Sequence, residues 1–195
     1  MSLSLGGPFT GQLMYMPIPQ LGIGYNRGIL DSTLDIGAGW YVTSAFYGIA
    51  HVDAGLNWRP WLTNAPWPGL MVSPGVFLLT DFSPESFRAY PDLALTLFWE
   101  LAPCRYLYTG IESWFELYTE RSDGNPQNHH WLPAPYFGID MGNGKWQFQV
   151  EGRLYTPHLK NSYRAVDNVG IGDYGAWGIF LGVSRSFGAD QERPE

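Results

Sequence analysis

The residues able to do chemistry in this chain are spaced as alternate positions of extended segments. Asp35, His51, Asp53, Arg59, Asp92, Glu100, Glu112, Glu116, Asp140, Glu151 and Arg153 each sit directly beside an apolar residue. Acids outnumber bases among them. If a sheet closes around these side chains, each carboxylate needs a partner, water or a proton. The structural reading is a polar plug in which Arg59 and Arg153 tie the acids together. The functional readings are a cation-selective conduit or acid–base catalysis. His51 and Asp53 are two apart and share a strand face. That suits a hydrogen bond better than a general base, because no nucleophile is recognisable beside them.

Other reactive residues carry less. His129 and His130 lie in a polar stretch with Asp123 and Asn128. Adjacent histidines point different ways, and no second His or Cys stands at ligand spacing, so a surface loop is expected rather than a metal site. His158 and Ser162 are four apart, with no acid positioned by a motif. Cys104 is the only cysteine, which excludes an internal disulfide and a cysteine-rich metal site. Gly37-Ala38-Gly39 alternates as a strand and lacks the following helix of a phosphate loop. No cofactor is expected.

The elements that must position these residues read as strands. Trp177, Ile179, Leu181, Val183 and Phe187 share one parity of the last apolar segment; Gly178, Gly182, Ser184 and Ser186 share the other, with Phe180 as the exception. Alternate side chains point to opposite faces, so this strand has one apolar and one small or polar face. The same period predicts strands over 2–13, 20–29, 33–43, 49–59, 70–81, 89–101, 106–118, 134–142 and 146–155. Pro74 is an expected bulge, and Pro157 is expected to stop the ninth strand. Gly142-Asn143-Gly144-Lys145 is a hairpin turn. Ten strands follow, or eight if the weak first one fails. Turns at 30–32, 102–105 and 142–145 are short; 119–131 and 156–174 on the other side are long; 60–69 is long on the short side.

Composition agrees. The 195 residues suit one domain and are only 15% charged, 16% aromatic and rich in Gly, at 24 residues; soluble domains carry about 25% charged residues. No window reaches the ~18 uninterrupted apolar residues of a spanning helix. The net charge of −7 comes without a basic run, so nucleic acid is not a partner. Met1-Ser2-Leu3-Ser4-Leu5 lacks a charged n-region, and the expectation is of mature-form residues behind an added Met.

The aromatic-bounded last strand ending at Phe187 resembles the closing strand of a bacterial outer-membrane β-barrel. Together with the period-two pattern and loop asymmetry, the resemblance spans about residues 2–187. It implies an all-β fold: a single antiparallel transmembrane barrel over 1–187, with a short polar tail at 188–195. Trp40, Trp58, Trp99, Trp146, Trp177 and Phe187 would then be girdle aromatics at the headgroups. A His and a Ser near such a rim also resemble lipid A deacylases, but the His-x-Ser-Asn spacing is absent at His158 and Ser162.

The expected role is a non-enzymatic structural or accessory barrel in the outer membrane, in contact with lipid and lipopolysaccharide and docked to a larger envelope complex. Trp61 and Trp67 mark the expected contact surface. The alternatives are a lipid-A-modifying enzyme, a narrow cation-selective channel and a soluble lipocalin-like barrel. The last needs charges outward, and the near absence of Lys on the strands opposes it.

Overall fold

A computed structural model describes residues 1–9, 20–30, 33–64, 66–83, 86–120, 126–143, 145–160 and 169–187. Ten strands follow in chain order: β1 (Ser2–Pro8), β2 (Gln20–Leu30), β3 (Leu34–Tyr41), β4 (Ala50–Trp61), β5 (Gly69–Thr80), β6 (Arg88–Ala102), β7 (Arg105–Phe115), β8 (Trp131–Gly142), β9 (Trp146–Lys160) and β10 (Tyr174–Arg185). A short helix, α1 (Val42–Ala45), joins β3 to β4. Each strand pairs antiparallel with its neighbour in sequence, and β1 pairs with β10 to close a barrel. Closure gives every strand a paired neighbour on both sides. The eight-strand alternative is thereby set aside.

The period-two pattern decides which side faces in. Leu3, Leu95, Phe137, Val150, Ile179 and Leu181 are exposed on the outer surface. Phe77, Thr96, Tyr108, Glu112, Tyr136 and Glu151 are buried inside. Phe180 breaks the parity of β10 because its ring is used inside, edge-on to Tyr155 at 6.3 Å. Among the described residues no helix is long and apolar enough to cross a membrane.

Met1, Arg185 and three short turns lie at one end of the barrel, with the 62–68 connection beside them. Helix α1 and the longer connections lie at the other, here called the outer end.

Prolines explain most departures from the expected strand limits. Strand β9 runs through Pro157 to Lys160 instead of stopping there. Its ladder to β8 ends at Tyr136↔Arg153, and its ladder to β10 shifts register between Ala176↔Tyr155 and Tyr174↔Lys160. Pro157 therefore sits at an irregularity, where a missing N–H breaks no regular ladder. Pro133 and Pro135, at the start of β8, lie just beyond the last β8–β9 pair but keep their β7 partners. Pro74 makes no bulge. The same β4–β5 register holds at Gly55↔Gly75 and Trp58↔Val72, and the shift comes later, between Trp58 and Trp61. Strand β1 ends at Pro8 rather than 13, and the expected turn at Pro17-Ile18-Pro19 lies outside the described residues. The tail 188–195 also lies outside them.

Candidate functional site

The lumen has two unlike walls. Across β1 to β6, small polar residues stand directly opposite glycines: Ser2↔Gly24, Ser4↔Gly22, Asn26↔Gly37, Asp53↔Gly39 and Asp92↔Gly75. A Cβ built on Gly22 would lie 2.6 Å from the Ser4 hydroxyl, and one on Gly75 would lie 2.7 Å from Asp92 Oδ1. Each polar side chain thus lies flat over the glycine facing it, a close approach only a residue without Cβ permits. This wall stays thin and leaves a cavity of about 350 Å³ in the barrel. Asp53, Asp92, Glu112 and Arg153 all face it.

The wall from β6 to β10 is thick. Tyr108 and Gly110 on β7 oppose Gly138 and Tyr136 on β8, so two Tyr-x-Gly triplets interlock. A Cβ on Gly138 would collide with the Tyr108 hydroxyl; one on Gly110 would lie 2.6 Å from the Tyr136 ring. The two hydroxyls so positioned bind polar neighbours. Tyr136 shares a hydrogen bond with Thr96 at 2.6 Å. Tyr108 donates to Glu151 Oε2 at 3.1 Å and accepts from Gln149 at 2.7 Å.

Arg153 joins the two sides of this network. It donates to Glu151 through Nε at 3.0 Å, pairs with the same carboxylate through Nη2 at 2.8 Å, and pairs with Glu112 through Nη1. Both carboxylates are buried. Its guanidinium lies 5.1 Å from the Tyr136 ring centre and 5.6 Å from that of Phe180. One cation is thus shared by Glu112 and Glu151, while Asp53 and Asp92 face the same cavity without an ion pair to it. Asp92 Oδ1 has no hydrogen-bond partner among the described residues.

Towards the outer end, aromatic rings form a row along the inner wall from β3 to β7. Tyr41 stacks on His51 at 4.1 Å, His51 lies 5.8 Å from Phe77, Phe77 stacks on Trp114 at 4.2 Å, and Trp114 lies 6.2 Å from Tyr90. His51 Nε2 has no hydrogen-bond partner among the described residues. The hydrogen bond expected between His51 and Asp53 is therefore replaced: the ring stacks on Tyr41, and the carboxylate lies over Gly39.

The other residues expected in the lumen are distributed along it. Asp35 and Arg59 pair at 2.6 Å near the end that carries Met1 and Arg185. Glu100 is exposed at that end. Asp140 borders a smaller cavity of about 110 Å³ with Gln147 and Gln149. Glu116 falls just past β7, where its carboxylate accepts from the Tyr118 N–H at 2.9 Å, so it does not join Arg153. Alternation places Tyr108, Tyr136, Thr96 and Gln149 on the inward parity, but they were not among the candidate site residues. The repeated Tyr-x-Gly triplet was the available signal for the two tyrosines.

At the rims, Trp40 and Trp177 lie on outward parity towards the outer end, joined by Trp131, which the pattern left in a loop. Trp58, Trp99 and Trp146 lie towards the opposite end. Phe187 lies two residues beyond β10, and the Arg185 guanidinium packs 5.2 Å from Trp146 and 5.1 Å from Phe187. Trp61 pairs with Leu70 as the last residue of β4, and Trp67 follows in the connection; both are strongly exposed. His158, expected in a loop, is on β9, and Ser162 lies outside the described residues.

No family model matches the sequence. No curated protein matches it either. Among solved structures, the fold is similar to that of the NanC porin in a rhombohedral crystal form, with a TM-score of 0.52 and 12% identity. The likeness covers 95% of this chain and 99% of that one.

Proposed function

We propose that this chain is a non-enzymatic barrel of the bacterial outer membrane, serving as a structural or accessory subunit with a closed lumen. The observation that carries the reading is the Arg153 bridge between β7 and β9, backed by the interlocked tyrosines. These groups crowd the β6–β10 side of the lumen and narrow it to a cavity of about 350 Å³ beside them. The exposed apolar outer face supports a lipid setting, because a contiguous surface of this kind is not left in water. Trp61 and Trp67 support a contact with headgroups or an envelope partner at the end that carries Met1 and Arg185.

A second reading is a narrow cation-selective conduit. It is favoured by the cavity faced by Asp53, Asp92 and Glu112, and by the fold shared with a porin. Planar-bilayer recording of the purified barrel separates the two. The accessory reading expects no steady conductance. Stable currents, with a reversal potential that shifts towards the cation under a salt gradient and loses that shift in Asp53→Asn/Asp92→Asn, overturn it in favour of the conduit.

A further inference from the structure

Twenty-eight residues separate His129 from His158 in the sequence, yet the two meet at the outer rim. Strand β9 continues past its last β8 pair, Tyr136↔Arg153, and carries His158 with it to Lys160. The segment leading into β8 lies against this overshoot. The rings of His129 and His158 stand 6.3 Å apart, centre to centre, with their planes at 76°. Trp131 stacks on His158 at 5.9 Å and 23°, which fixes the plane of that ring. His130 is engaged elsewhere, its Nδ1 lying 2.8 Å from the Glu116 carbonyl oxygen.

We propose that His129 and His158 form an outer-rim binding site for a borderline divalent transition-metal ion of the Zn²⁺, Ni²⁺ or Cu²⁺ type. One ring nitrogen from each would hold the ion and water would complete its shell. Imidazole selects this class of metal over Ca²⁺ and Mg²⁺, which favour carboxylate and carbonyl oxygen. Metal–nitrogen bonds of about 2.0–2.1 Å place two ligating rings roughly 5–6 Å apart, so a small rotation of the His129 side chain closes the gap. His158 is exposed, so water reaches the site. Among the described residues no group of three or more His, Cys, Asp or Glu is placed to hold an ion, so water must supply the rest of the shell. The negative charge of the chain as a whole draws cations towards it.

The test is titration of the detergent-solubilised barrel with Zn²⁺ by calorimetry and with Cu²⁺ by electron paramagnetic resonance. The site predicts one ion per chain, a two-nitrogen coupling pattern for Cu²⁺, and quenching of Trp131 fluorescence. His129→Ala and His158→Ala should each weaken Zn²⁺ binding at least tenfold, and His130→Ala should leave it unchanged. Both positions needed are at the rim, and retained heat-modifiable migration shows that the variants fold. Binding that survives the double variant His129→Ala/His158→Ala, that falls equally in His130→Ala, or that is seen only at millimolar metal overturns the proposal.

Discussion

Arg153 is the residue on which the lumen most depends. Among the described residues it is the only cation paired with Glu112 and Glu151, both of which are buried. Removing one partner of such a group leaves charge enclosed without compensation. Arg153→Met is expected to destabilise the barrel by on the order of 3 kcal/mol or more, read as a lower unfolding midpoint in detergent. An unchanged midpoint would show that Glu112 and Glu151 are compensated in another way. Asp81, in the outer turn after β5, makes a prediction about pH. Hydrogen bonds from Ser86 and Ser83 hold its carboxyl at about 2, and the Ser83 N–H donates to it at 2.9 Å. The folded value lies below that of a free Asp, about 3.9. The bonded turn is therefore favoured above that value, and the advantage is lost as pH falls towards 2. The same turn holds Phe82 at φ 66°, a left-handed conformation that a bulky residue rarely adopts. Titration of the Asp81 carboxyl carbon by NMR should give a midpoint near 2; one near 4 would mean that the turn is open in solution. The sequence marked Arg153 and both its acids as inward. It could not tell that Glu116 would miss them, because β7 ends one residue earlier and Glu116 turns to the Tyr118 N–H.

At the scale of elements, the interlock between β7 and β8 tests whether glycines set the thickness of the wall. Gly110→Ala places a methyl group 2.6 Å from the Tyr136 ring and into the Leu95 carbonyl. It should cost roughly 1–3 kcal/mol by overpacking. Combining it with Tyr136→Ala should cost less than the sum of the two single losses, since the variants share one contact. Strict additivity in a double-mutant cycle would deny the interlock. The connection between β4 and β5 makes a separate prediction. Trp61→Ser with Trp67→Ser should leave heat-modifiable migration intact and reduce co-purification of envelope partners after gentle extraction. Full retention of every co-purifying protein would assign these two rings to headgroups alone. The existence of the strands was legible because one buried and one exposed face impose a period of two over about ten residues. Their limits were less legible. Pro157 and Pro74 were read as interruptions, yet a proline disrupts only the side on which its N–H would have been used. Only the neighbouring strands decide whether that side was needed.

For the molecule as a whole, the outer face makes the plainest demand. Leu, Val, Phe and Trp side chains surround the barrel. The chain should therefore require detergent for a monodisperse state and migrate faster unheated than boiled on gels. A monodisperse, detergent-free monomer of the same sheet content would overturn the membrane assignment. Within the chain alone, alternation determined the all-β class, the inward and outward parities, the asymmetry of the turns and a strand count of ten or eight. All of these follow from local periodicity and turn chemistry, which act over a few residues. What tertiary structure decided was who meets whom across the barrel. Register set Asp53 over Gly39, Asp92 over Gly75 and Tyr108 over Gly138. Closure brought Glu112 of β7 to Arg153 of β9 across the intervening β8, and the overshoot of β9 brought His158 to His129. A one-residue slip in any ladder would exchange the faces of that strand and dissolve these pairs. No single strand contains the information that selects its register, because the selection is made by the fit of the whole closed sheet.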